Sequence, residues 1–171
     1  MICSCQDSQC SRVCTFNLIY YEVHIVIIPS PKIQEKAPFI DWYLFNNLFT
    51  AWVYQSFPDF QDTEEVLDIY VDYLNDTSQY GGEDRIQIGN PQKYREYWSV
   101  TYVFTNIAHE FTHYVQHKLY GKCFCTMVSE NAKEYYSLST EIEARKSERS
   151  IMRFVRFYKK LVKAAPIIQR H

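Results

Sequence analysis

The chain has 171 residues, of which 47% are hydrophobic and 22% charged, so it can bury the core of one domain and is not disordered throughout. It contains only four glycines and six prolines, which argues against a many-turned β-sandwich or a glycine-rich phosphate-binding loop and favours long helices. The net charge is −2, and neither half of the chain has the charge density of a dedicated nucleic-acid-binding arm.

The chain begins with a cysteine-rich segment, which contains Cys3, Cys5, Cys10 and Cys14. Their spacing lacks the paired C-x2-C steps of a typical zinc knot, and a disulfide knot is the other alternative. We favour a flexible tail over residues 1–15, followed by a single domain over residues 16–171. No secretory signal precedes the first apolar run, so we expect a cytoplasmic, reducing setting with free thiols.

Several elements are predicted in the first half of this domain. Residues 16–28 are rich in β-branched and aromatic residues and predict a long strand or a hairpin pair. Apolar residues recur at helical spacing in residues 39–57, which predicts a helix with a broad apolar face. Acidic residues at positions 62–65 favour the start of a second helix, which continues at helical spacing with Val66, Ile69, Tyr70 and Tyr73.

In the second half, two glycines at positions 81 and 82 end this pattern, and the alternation in residues 85–89 predicts a short strand at a sheet edge. A long helix is predicted over residues 93–120, with Gly121 as its stop signal. Ser137 or Ser139 is a candidate cap for a last helix that runs to about Ala165. These elements together predict a helix-rich α+β fold.

The long central helix contains the motif H-E-x-x-H, formed by His109, Glu110 and His113. Histidines at i and i+4 lie one above the other on one helical face, so both rings can reach a single metal ion. Glu110 is one residue further round the helix, where its carboxylate can take a proton from water and pass it to a leaving amine. The motif therefore predicts two metal ligands and a general base, and the alternative is a pair of surface histidines bridged by solvent.

A catalytic zinc ion usually has three protein ligands and one position for water. His117 continues the same helical face, but it lies about 12 Å along the axis from His109 and cannot share its metal. We expect it on the polar face, with contact to the substrate or to a ligand as the alternative. The better third ligand is a carboxylate of the last helix, either Glu141 or Glu143, which point about 200° apart so that only one can face the metal.

The segment from Ile107 to Gln116, followed 25 residues later by Glu141-Ile-Glu-Ala144, resembles the zincin metallopeptidases. It is most similar to the gluzincin pattern H-E-x-x-H … E-x-x-A and to small viral and phage proteins assigned to such peptidases. The metzincin pattern is excluded, because Gln116 and Leu119 stand where it requires glycine and histidine.

The resemblance implies that His109, His113 and Glu141 bind zinc and that Glu110 is the general base, with Glu143 as the alternative third ligand. It also implies a small mixed sheet packed on the motif helix, whose edge strand pairs with the substrate backbone. Residues 85–89 are the candidate for that strand. Tyr135 and Tyr136 are candidates for stabilising the oxyanion.

The last predicted helix is amphipathic, with an apolar stripe made by Ile151, Phe154, Val155, Tyr158, Leu161 and Val162. The rest of its surface is basic, which suggests contact with a membrane surface or with nucleic acid. We favour the alternative that the stripe packs on the protein. The basic side is then solvated or faces the first 100 residues, which contain six Lys or Arg and fourteen Asp or Glu.

We therefore expect a metallopeptidase that uses Zn²⁺ to activate water and hydrolyses a peptide or protein substrate. No nucleic-acid partner and no transmembrane segment are expected, and a viral protein of this kind would act in the host cytoplasm or the virion. One alternative is an inactive zincin-fold protein that binds a partner or serves virion assembly. Another is a basic nucleic-acid-binding module in which the histidine motif is incidental.

Overall fold

The computed structural model describes residues 25–58, 66–82, 84–120 and 139–164. These ranges contain four α-helices and four β-strands: β1 (Ile25–Pro29), α1 (Pro31–Lys36), α2 (Trp42–Ser56), β2 (Leu67–Tyr73), β3 (Gln79–Tyr80), β4 (Arg85–Ile88), α3 (Val100–Tyr120) and α4 (Ser139–Ala164). The α+β prediction is confirmed, as are the helix over residues 39–57 and the last helix. The cysteine-rich segment, Gly121, Tyr135 and Tyr136 lie outside the described residues.

The strands form a mixed sheet in the order β1-β2-β4-β3. β1, β2 and β4 are parallel, and β3 pairs antiparallel with β4 through only two residues, Gln79 and Tyr80. The strand predicted over residues 85–89 exists, but its predicted place at the sheet edge is wrong, because β3 covers that side. A strand of two residues has no periodicity that a sequence pattern can detect, whereas the turn at Gly82 (φ 79°) that links it to β4 is visible as a glycine pair.

The second helix predicted from positions 62–65 onwards is also wrong where the structure describes it. Leu67–Tyr73 is strand β2, in which Ile69 and Val71 are buried while Asp68 and Tyr70 are exposed. This alternation is the period of a strand, and both edges of β2 are paired, with β1 and β4. The spacing of Ile69, Tyr70 and Tyr73 matches a helix as well, so pairing with distant strands decided the outcome.

Helix α2 covers the outer edge of β1, which would otherwise present unpaired backbone groups. The Asn46 side chain accepts a hydrogen bond from the N–H of Ile27 (2.7 Å) and donates one to its carbonyl oxygen (3.1 Å). Thr50 donates to the carbonyl oxygen of Ile25 (3.2 Å). The sheet edge opposite β3 is therefore closed by side chains of a packed helix.

The motif helix begins later than predicted, at Val100 instead of position 93. A short 3-10 helix, Pro91–Tyr94, precedes it and ends at Arg95, whose φ of 57° is left-handed and cannot continue a right-handed helix. The Ser99 hydroxyl then accepts a hydrogen bond from the N–H of Tyr102 (3.1 Å), as an N-cap does.

Aromatic side chains fix α3 between α2 and α4. Phe45 and Phe49 of α2 contact Phe104 and Phe111 of α3, with ring centroids 4.5 and 5.3 Å apart. Tyr158 of α4 packs on Phe104 (5.2 Å), and its hydroxyl accepts a hydrogen bond from the backbone N–H of Asp41 at the start of α2 (2.7 Å). One face of α3 is therefore buried in the core, and its histidine face is directed towards α4 and a cleft.

The apolar stripe of α4 is buried at Ile151, Phe154, Val155 and Tyr158, as predicted. Its last two predicted members are not buried: Leu161 is partly exposed and Val162 is 45% exposed. Lys146, Arg149 and Arg153 are among the basic residues exposed on the opposite side of this helix. Across the described part of the chain, no helix is both long enough and apolar enough to span a membrane.

Candidate metal centre

Helices α3 and α4 approach closely where the candidate site lies. Ala144 is fully buried between them, which fits the small residue expected beside Glu141. Three residues further along, the Ser147 hydroxyl is hydrogen-bonded to that of Thr112, at 2.7 Å. This contact lies between the turns of α3 that carry the motif and the first turns of α4, and it fixes their relative position.

His109, His113 and Glu141 converge on one point, with candidate ligand atoms that all lie within 4.8 Å of one another. The two Nε2 atoms are 3.1 Å apart, and that of His113 lies 3.0 Å from Glu141 Oε1. His109 Nε2 lies 3.5 Å from Glu141 Oε2. Ligands bound tetrahedrally at about 2.0–2.2 Å from zinc are about 3.3–3.6 Å apart, so these separations are within about 0.3 Å of the dimensions of a zinc site.

The other nitrogen of each histidine is also engaged. His109 Nδ1 donates to Glu148 Oε1 (2.6 Å), and His113 Nδ1 donates to Gln116 Oε1 (2.9 Å). A neutral imidazole that donates through Nδ1 keeps the lone pair of Nε2 available for a metal. Both rings are thus held in an orientation that directs Nε2 towards the other candidate ligands.

Gln116 is itself fixed by α4. Its Nε2 donates to Glu143 Oε2 (2.8 Å) and to the carbonyl oxygen of Thr140 (3.1 Å). Glu143 therefore lies outside the group of candidate ligands and supports His113 through Gln116. As their spacing requires, Glu141 and Glu143 point in different directions, and Glu141 is the one directed at the histidines.

Carboxyl groups surround His109. Burial lowers the pKa of this imidazole, but hydrogen bonds to Glu141 and Glu148 and the charge of Glu110 outweigh it and raise the pKa to about 10. The site therefore favours a positive charge at this position. Burial also raises the pKa of Glu110 to about 7, against the opposing effect of the two histidines and a hydrogen bond from the backbone N–H of Tyr80.

The candidate ligands border a cleft of about 560 Å³. Apart from His109, Glu110 and Glu141, its lining is largely polar and comprises Thr77, Ser78, Tyr94, Glu96, Tyr102, Thr105, Asn106, Arg145 and Glu148. The cleft has room for part of a peptide, and both the candidate base and two of the three candidate ligands are accessible from it.

One wall of the cleft is held by a dense polar network around Ser78. The Ser78 hydroxyl donates to Asn106 Oδ1 (2.7 Å) and accepts from the N–H of Gly89 (2.8 Å), while its backbone N–H donates to the Tyr94 hydroxyl (3.0 Å). Gly89 has no room for a side chain, because a Cβ atom would lie 2.4 Å from the carbonyl oxygen of Asp76. This close approach fixes the segment that leads into β3.

The structure thus brings together His109, Glu110, His113 and Glu141, and it places His117 apart from them, beside Tyr80. Sequence reasoning missed the roles of Gln116 and Glu148. Glu148 carries one signal, because at i+7 it lies on the same face of α4 as Glu141. Gln116 carries none, since its contacts depend on how α4 docks against α3.

A search of protein-family models, curated proteins and solved structures finds no match to this chain.

Proposed function

We propose that this protein is a zinc-dependent metallopeptidase in which His109, His113 and Glu141 bind the metal and Glu110 is the general base. The observation that carries the proposal is the convergence of two imidazole nitrogens and one carboxylate at a cleft, with a second carboxylate beside them. Two nitrogen ligands and one oxygen ligand leave one position of a tetrahedral site open, as a catalytic zinc ion requires.

The donor set restricts the metal. Imidazole nitrogens favour zinc and other transition metals over magnesium and calcium, which prefer oxygen ligands. Two histidines and one carboxylate also bind iron in non-haem oxygenases, so a metal analysis must measure iron as well as zinc. Hydrolysis is favoured by the position of Glu110, since a base beside the metal serves the activation of water.

Zinc in such a site acts as a Lewis acid, which polarises a carbonyl group and lowers the pKa of water to about 7. The residues of the chain supply the proton transfer. Glu110 faces the cleft, and the N–H of Tyr80 holds its carboxylate by a hydrogen bond. From this position Glu110 accepts the proton of the attacking water and delivers it to the leaving amine.

A peptide substrate would lie in the polar cleft beside β3. Since β4 is paired on both sides, residues 85–89 are no longer the candidate for pairing with the substrate backbone. Among the described strands, β3 lies at this edge of the sheet and follows directly on Thr77 and Ser78 of the cleft lining. The N–H groups of Ser78 and Tyr80 already face Tyr94 and Glu110, so the side chains of the cleft lining are the better candidates for holding the substrate.

Metal analysis of the purified protein is the first test. We expect about one zinc ion per chain in the unaltered protein, and a His113→Ala variant should lose it. Iron in place of zinc would contradict the zinc assignment, and the absence of any stoichiometric metal would contradict the site.

Activity requires a separate test, in which a peptide library is incubated with the protein and the products are identified by mass spectrometry. Glu110→Gln should keep the zinc and lose cleavage, since it retains the shape of the side chain and removes the base. Zinc without cleavage of any peptide would favour the inactive binding or assembly protein. Cleavage that persists in Glu110→Gln would refute the assignment of the base.

A second candidate function, nucleic-acid binding, is favoured by a basic ridge on α4. We define this ridge as six exposed residues at alternating spacings of three and four: Lys146, Arg149, Arg153, Arg156, Lys160 and Lys163. It extends over about 25 Å, and no carboxylate among the described residues forms an ion pair with it. A row of cations of this length is complementary to a phosphate backbone.

Salt-dependent binding distinguishes this candidate from a solvated helix surface. Replacing Arg149, Arg153 and Arg156 together by glutamine should weaken DNA binding and lower its salt slope by about 2–3, since each lost phosphate contact contributes about 0.9. The matched control replaces Lys32, Lys36 and Lys93, which removes the same charge elsewhere. Equal effects of both triple variants, or no binding at low salt, would reject the ridge as a binding site.

A further inference from the structure

His117 lies one helical turn beyond His113 and does not join the candidate metal ligands. Its Nδ1 is hydrogen-bonded to the hydroxyl group of Tyr80 at 3.0 Å, and the two rings are 5.6 Å apart. The side chain of His117 thus links α3 directly to β3, the strand next to the cleft.

β3 is a short strand with a short ladder. It pairs with β4 only at Gln79 and Tyr80, and the exposed side chain of Gln79 is hydrogen-bonded to that of Gln87. Tyr80 additionally packs edge-on against Tyr114 of α3, with ring centroids 5.9 Å apart. Because the ladder is so short, the side-chain contacts of Tyr80 with α3 contribute a large part of what holds this residue in place.

The backbone N–H of the same residue faces the candidate base, where it favours the charged form of the Glu110 carboxylate and opposes the effect of burial on its pKa. Glu110 is buried, so bulk water cannot readily take the place of the Tyr80 N–H beside its carboxylate. Losing this donor would therefore leave a buried acceptor unsatisfied, which costs free energy. A continuous path of contacts therefore runs from the His117 ring through the Tyr80 side chain and backbone to Glu110.

We propose that His117 is a positioning residue: it fixes Tyr80, and thereby holds the Glu110 carboxylate and the cleft side of β3 in place. The catalytic consequence rests on the proposed metallopeptidase function, whereas the positioning itself is a property of the metal-free protein. His117 acts through Tyr80 and touches neither the metal ligands nor the candidate base.

Two single variants interrupt the path at its two ends. His117→Phe keeps a ring of similar size but removes the nitrogen, and Tyr80→Phe removes only the hydroxyl group. In both, we expect the Tyr80 amide to exchange with deuterium about tenfold faster than in the unaltered protein, and the ¹³C shift of the Glu110 carboxyl carbon to change. Because both variants break the same bond, the double variant should behave like either single one.

The catalytic readout separates positioning from binding. We expect kcat to fall by about 10- to 100-fold, because displacement of a catalytic group by about 1 Å has effects of this size. KM should change little, and zinc affinity should stay within about twofold, since the ligands are untouched. His117→Asn, which can still hydrogen-bond to the Tyr80 hydroxyl, should restore part of kcat.

Lys159→Gln is the control, because it alters an exposed residue whose Nζ donates to Thr101 in the first turn of α3, away from Tyr80 and Tyr114. It should leave Tyr80 exchange and kcat unchanged. Unchanged exchange in His117→Phe and Tyr80→Phe would overturn the proposal, whether or not the protein is a peptidase. If His117→Phe fails to fold, Tyr80→Phe alone decides it. A protein that binds no zinc refutes the proposed function, while the exchange experiment still tests the positioning.

Discussion

The two sides of the candidate metal centre hold their histidines in the same way but with different chemistry. On the His109 side, the ring is backed by the carboxylate of Glu148, whose side chain is 40% exposed. On the His113 side, the ring is backed by the neutral amide of Gln116, which is 2% exposed. Both supports accept a hydrogen bond from Nδ1, so both rings present Nε2 to the same point.

The difference follows the local access to water. A carboxylate near the cleft stays partly solvated and adds negative charge beside the candidate metal position, where it would strengthen His109 as a ligand. A second carboxylate behind His113 would be buried next to Glu143 and would carry a large desolvation cost. An amide avoids this cost, and its NH₂ group binds Glu143 and the Thr140 carbonyl oxygen at the same time.

Placing charge on the buried side should have the largest effect on stability. In Gln116→Glu, a carboxylate replaces the amide and faces Glu143 without a donor between them. We expect the free energy of unfolding of the metal-free protein to fall by about 3 kcal/mol, as for an uncompensated buried charge. Urea unfolding in the presence of a chelator measures it. The reverse exchange on the exposed side, Glu148→Gln, should change the free energy of unfolding by less than about 1 kcal/mol. Equal losses of stability in the two variants would contradict the difference between the buried and the exposed support.

Removing charge on the exposed side should mainly affect the metal. Glu148→Gln keeps an acceptor for His109 Nδ1 but removes the negative charge, so we expect zinc affinity to fall about 10- to 100-fold. Competition with a chromophoric chelator measures this change. Glu96→Gln is the control, since it removes the same charge from the cleft lining without touching a histidine. If zinc affinity fell as much in Glu96→Gln, the effect would come from the overall negative charge of the cleft and not from the contact between Glu148 and His109.

The sequence predicted the parts of this centre that depend on local periodicity. The i, i+4 spacing of His109 and His113 follows from a helix of 3.6 residues per turn. The start of α4 lies at one of its two predicted cap candidates, Ser139. Glu141 was selected by a resemblance, and its spacing from Glu143 showed only that one of the two could face the metal.

The parts that the sequence did not predict depend on contacts between distant segments. Ile69, Tyr70 and Tyr73 fit both a helix and a strand, and only pairing with β1 and β4 makes Leu67–Tyr73 a strand. The spacing of His117 predicts its place on α3, one turn beyond His113. It does not predict the partner, Tyr80, which lies on a strand too short to be detected in the sequence. In each case the deciding interaction is formed by residues far apart in the chain.

Removing the neutral support should weaken zinc binding less than removing the charged one. In Gln116→Ala, His113 keeps its place beside Glu141 but loses the acceptor that fixes its ring. We expect zinc affinity to fall about tenfold, the lower end of the range for such supporting residues. The same chelator competition measures it, with Glu148→Gln as the reference. A loss greater than that of Glu148→Gln would show that orientation, rather than charge, governs affinity at this centre.

The smallest effect is expected for Glu143→Gln. Its amide oxygen can still accept the hydrogen bond from Gln116 Nε2, so the support of His113 persists and zinc should remain at about one ion per chain. Because Glu143 is an exposed residue, stability should change by no more than about 0.5 kcal/mol. Glu141→Gln is the matched variant two positions away, and it should lose the zinc. The opposite pattern, in which Glu143→Gln loses the metal and Glu141→Gln keeps it, would reverse the assignment of the third ligand. Glu143 would then no longer count among the residues that support His113.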